Sequence, residues 1–64
     1  MIGVNEILEK DTGIYSGIDE DGQYVTVFRQ KGYGFTMMTE THNGWFECID
    51  YDEEGNHECV RYER

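Results

Sequence analysis

Short apolar and β-branched segments alternate along most of the chain with polar triplets that end in glycine. The triplets are Glu20-Asp21-Gly22, Gln30-Lys31-Gly32, His42-Asn43-Gly44 and Glu53-Glu54-Gly55, with Asp11-Thr12-Gly13 as a fifth. A polar-polar-glycine triplet fits a three-residue hairpin loop, a type I turn closed by a glycine of positive φ. Turn signals at this interval predict consecutive antiparallel strands near residues 14–19, 23–29, 33–41, 45–51 and 57–62. Proline is absent, which suits strands that all need their backbone donors. The expected fold is mainly β: a small antiparallel five-stranded meander or curled sheet, one domain spanning residues 1–64.

If residues 41 and 45 face each other across their loop, Phe35 and Met37 lie opposite Tyr51 and Ile49, on the face of Trp45. That face reads as core. The opposite face, with Thr36, Met38 and Glu40 against Phe46, Cys48 and Asp50, is mixed. Tyr24 to Phe28 is apolar almost throughout, which predicts cover on both sides. The amino-terminal segment is one source of cover, because Val4, Ile7 and Leu8 fall at helical spacing and Asn5 is placed to cap a short helix. A sixth, edge strand ending at Asp11-Thr12-Gly13 is the alternative for this segment, and a second copy of the chain is a further cover.

The last hairpin allows two registers. The loop rule sets Cys48 opposite Val60 and Cys59 opposite Ile49. A shift of one residue sets Cys48 opposite Cys59 and Asp50 opposite His57, and gathers Trp45, Ile49, Tyr51, Val60 and Tyr62 on one face.

Charge changes the picture more than composition does. Fourteen acids against five bases give a formal net charge of −9 on 64 residues. Such a surface repels phosphate backbones, which argues against direct nucleic-acid binding. The 38% hydrophobic content separates the chain from a disordered acidic tail. No apolar run reaches the ~18 residues of a membrane helix, and no export signal is visible, so a cytoplasmic protein without membrane attachment is expected.

Candidate chemistry is sparse. In the shifted register Cys48, Asp50, His57 and Cys59 share a face, and all are zinc-ligand types, but their spacing departs from the paired knuckles of structural zinc sites. Two reduced thiols beside the sheet, or a Cys48–Cys59 bridge, are the competing readings. Asp50-Tyr51-Asp52-Glu53-Glu54-Gly55 places carboxylates at alternate positions like the opening of a calcium loop, but Arg61 stands where the closing glutamate belongs. His42 lies in a turn, and His57 near Cys59 lacks an accompanying oxyanion-hole motif. No enzyme activity, metal or cofactor is expected.

The surface itself remains. Acids fall in two tracts, Asp19 to Asp21 and a group around the last hairpin, which a meander sets about 20–25 Å apart at strand rise. The second tract holds more charge beside more aromatic residues, so Glu47, Asp52, Glu53, Glu54 and Glu58, with Tyr51 and Trp45 as aromatic anchors, are the candidate partner-binding residues. In size and charge the chain is similar to phage and mobile-element inhibitors of host defence, such as anti-CRISPR and anti-restriction proteins. That resemblance implies an inhibitor that blocks or mimics the nucleic-acid substrate of a basic nucleic-acid-handling protein. The alternative is a small structural or adaptor β-module, monomeric or a homodimer, whose charge serves solubility.

Overall fold

The computed structural model describes residues 1–64, the side chain of His42 excepted. One short helix, α1 (Val4–Leu8), precedes five strands, β1 (Gly13–Ile18), β2 (Tyr24–Gln30), β3 (Gly34–Glu40), β4 (Phe46–Tyr51) and β5 (His57–Glu63). The strands form one open antiparallel sheet in sequence order, β1-β2-β3-β4-β5, so the meander stands as expected. No helix among the described residues is long and apolar enough to cross a membrane.

The glycines of four triplets adopt positive φ, at Gly22, Gly32, Gly44 and Gly55. Asp19 and Asp52 begin two of these turns in the same way. Asp19 Oδ1 accepts the backbone N–H groups of Asp21 and Gln23, and Asp52 Oδ1 accepts those of Glu54 and Asn56. Each carboxylate thus stands in for a backbone acceptor and fixes its own loop. Asp11-Thr12-Gly13 differs. Gly13 has no positive φ and opens β1 directly, because the segment before it is a helix and not a strand.

Glycine is required most strictly at Gly34. Its φ is 102°, and a Cβ built there would lie 2.0 Å from the Tyr51 carbonyl oxygen. The loop between β2 and β3 consequently sits one residue later than the triplet suggests, with Gln30 paired to Gly34.

Helix α1 lies on one face of the sheet. Ile7 packs there with Val25, Val27 and Phe35, and these four form the buried core. Val4, Leu8, Tyr15, Met37 and Tyr51 pack around them. Asn5 does not cap the helix; the N-cap is Gly3, with no side-chain bond. A five-residue helix has no stability of its own and depends on its tertiary contacts.

The pairing of β3 and β4 follows the 41–45 rule, with Phe35 opposite Tyr51 and Met37 opposite Ile49. The β2 strand departs from expectation. The helix covers Val25, Val27 and Arg29, whereas Tyr24 and Phe28 on the other face are exposed. Apolar residues on both sides of β2 therefore mark one buried face and one open one.

The last hairpin adopts neither expected register throughout. Tyr51 pairs with His57 as the loop rule requires, but a bulge follows, and Asp50 pairs with Cys59, Ile49 with Val60 and Cys48 with Arg61. The additional residue, Glu58, shifts the pairing by one and restores the face segregation of the alternative register without bringing Cys48 opposite Cys59.

Candidate functional site

An arginine in the core decides what Glu53 of the last hairpin does. Arg29 is the last inward position of β2, after Val25 and Val27, and its side chain is 0% exposed. Its Nε donates to the Lys10 carbonyl at 3.2 Å, and Nη2 donates to the Leu8 carbonyl at 3.1 Å. These carbonyls at the end of α1 have no further turn of helix to satisfy them. Nη1 donates to the Gly34 carbonyl at 3.0 Å. Nη1 also reaches the Gln30 carbonyl at 3.4 Å, and two bonds run to Glu53, Nη1 to Oε2 at 2.6 Å and Nη2 to Oε1 at 3.1 Å. All five guanidinium N–H groups therefore have acceptors, the condition under which burial of this charge is tolerable.

Glu53 closes the arrangement from the loop between β4 and β5. Its Oε2 also accepts the Gly34 N–H at 3.1 Å. The Arg29 guanidinium is the main reason that its carboxyl is held at about 2, far below the usual 4.5. One side chain from β2 thus ties together the end of the helix, the start of β3 and the last turn.

The other candidate residues divide into structural and available groups. Asp52 is committed to its loop, and the backbone N–H of Asn56 is the first cause of its lowered pKa. Tyr51 stacks on Phe35 with ring centroids 4.7 Å apart, so it belongs to the packed face. Glu47 accepts the Tyr62 hydroxyl at 3.1 Å across the hairpin, which raises the tyrosine pKa. Trp45 is exposed, with the Arg64 guanidinium 5.2 Å from its ring centroid. Glu54 and Glu58 are exposed, and neither is in an ion pair among the described residues.

Asp52, Glu53 and Glu54 lie at the end of the sheet opposite Asp19 to Asp21, as expected, but Glu47 does not stay with them. Glu47 lines a groove of about 230 Å³ together with Asp19, Glu20 and Asp21, beside the start of α1. Hairpin connections at alternate ends place the loop before β2 and the start of β4 at the same end of the sheet, so Glu47 joins the first tract.

Asp50 lies on the opposite face. Arg61 grips it through Nε and Nη2 at 2.9 and 3.1 Å, and Thr36 Oγ1 donates to it at 2.6 Å. Arg61, the first cause, and Thr36 together lower its pKa. Cys48 is buried and Cys59 exposed, both as free thiols. Burial, with Glu63 next in effect, pushes the Cys48 thiol pKa up, which disfavours the reactive thiolate. Among the described residues no three His, Cys, Asp or Glu side chains are grouped to hold a metal ion.

Sequence reasoning missed Arg29. The signal was present: a lone arginine at an inward position of an alternating strand needs a buried anion, and the acidic last loop supplies one.

No protein family, curated protein or solved structure matches the chain.

Proposed function

We propose that this chain is a binding protein that occupies the nucleic-acid site of a basic nucleic-acid-handling protein, as an anti-defence inhibitor would, and not an enzyme. One observation carries this reading. All five lysines and arginines are engaged within the molecule. Arg29, Lys31 and Arg61 are in ion pairs, while Lys10 and Arg64 lie over the rings of Tyr15 and Trp45. Only four of the fourteen acids are in those pairs among the described residues.

Among the described residues the surface therefore presents acids with no lysine or arginine outside an ion pair or a ring contact. Glu20, Asp21, Glu47, Glu54 and Glu58 supply the negative field, with Trp45 as the accessible aromatic anchor. Such a field speeds encounter with a basic groove and mimics the charge of a nucleic-acid strand. Glu53, Asp52 and Tyr51 contribute indirectly, by holding the last hairpin in shape.

The test is capture of partners from a host lysate on immobilised protein, with and without competing duplex DNA or RNA. Partners that bind at low salt and are displaced by nucleic acid support the reading. Partners indifferent to both nucleic acid and salt favour the adaptor alternative.

A further inference from the structure

The face of the sheet away from α1 is uncovered where it is most apolar. Ile14 is 69%, Ile18 46%, Tyr24 64% and Phe28 40% exposed, all on adjacent strands β1 and β2. Between them lie Ser16 and Thr26, paired with each other in the ladder. No charged residue occurs on this face of β1, β2 or β3 before Glu40, in a chain whose residues are 30% charged. On β4 and β5 Arg61 bonds both Asp50 and Glu63, which share the face, so most of the charge there is paired and one net negative charge remains.

We infer that this face is a homodimer interface, in which the β1–β2 surface packs against the same surface of a second copy. Charge selects the occupant. A basic partner finds nothing to pair with here, whereas two copies of a strongly acidic chain can approach across this area without opposing carboxylates. The size fits as well. Taking roughly 200 Å² for a fully exposed large side chain, these exposures leave about 400 Å² of apolar surface per copy. That approximates the apolar share of one side of a standard interface, about 800 Å² per partner.

Shape adds a self-complementary feature. A hollow of about 560 Å³ adjoins Ile14, Phe28 and Tyr33 at one end of the face, with Asp50 and Glu58 also in its lining, and the exposed Tyr24, whose hydroxyl can donate to such a carboxylate, lies at the other end. A two-fold axis through the Ser16–Thr26 region carries each Tyr24 towards the hollow of the other copy, as an isologous contact requires. The free edge of β1 is a poorer route to a dimer. The Ile2 N–H already donates to the Ile18 carbonyl at 2.7 Å, so the amino-terminal segment closes one end of that edge.

Sedimentation equilibrium over a wide concentration range tests the inference, with wild type compared with Ile14→Lys and Tyr24→Lys. Both sites are solvent-exposed, and circular dichroism checks that each variant keeps the sheet. Wild type is expected to approach twice the 7.5 kDa chain mass, more readily at high salt. Each variant should dimerise at least about tenfold more weakly, although lysine reduces the net negative charge. A wild type that stays monomeric at every concentration overturns the inference. So does a dimer that both lysine variants leave intact, which would point to pairing through the β1 edge. The opposite salt dependence separates this contact from partner binding.

Discussion

Arg29 and Glu53 are 24 residues apart in sequence and meet through two bonds, with the arginine side chain wholly buried and the glutamate 43% exposed. The pair links the end of α1 to the last loop, two regions that the ladder does not otherwise join. Removing one member strands the other. Arg29→Met leaves Glu53 without its cation and the Leu8 and Lys10 carbonyls without their donor. Glu53→Gln leaves a buried guanidinium without its anion. Each variant is expected to lower Tm by about 10 °C or more, and the double variant by less than the sum of the two. Thermal melts followed by circular dichroism check this.

Acid should act through the same pair. The folded-state pKa of Glu53 lies below its unfolded value, so its contribution is complete above about 4.5 and disappears as pH falls towards about 2. Asp50 and Asp52 are shifted in the same direction and add to the loss. Urea midpoints should therefore fall between pH 4.5 and 2 in wild type, and Glu53→Gln should flatten part of that slope.

Glycine substitutions should rank by what a Cβ meets. Gly44→Ala places its Cβ in open space and bears only the cost of positive φ, roughly 1 kcal/mol. Gly34→Ala combines positive φ with a collision against the Tyr51 carbonyl, at the residue that also bonds Arg29 and Glu53. It should prevent folding or cost several-fold more than Gly44→Ala. Denaturant titration of both variants measures the difference.

The meander was legible because glycine triplets and strand residues report local geometry. The 41–45 pairing followed from loop length alone, and the core positions Phe35 and Met37 followed from the pairing. The register of the last hairpin was not legible. It depends on a bulge at Glu58, and no turn residue marks where a strand gains an additional residue. The candidate acids were visible as charge but not as roles. Asp52 and Glu53 share the negative charge of Glu54, yet one bonds its own loop and the other a buried arginine from a distant strand. Such long-range partners become apparent only when β2 and the last turn are placed together.

The association rate of a captured partner, followed across ionic strength, tests the functional account most directly. Wild type should be compared with the variant Glu47→Gln, Glu54→Gln and Glu58→Gln, which leaves the Arg29–Glu53 pair and the Asp52 loop in place. Long-range attraction follows summed charge, so wild-type association should slow steeply as salt rises. The triple variant should associate severalfold more slowly at low salt and nearly as fast as wild type at high salt. A wild-type rate that is flat with salt, or a triple variant as fast as wild type at low salt, would contradict the account.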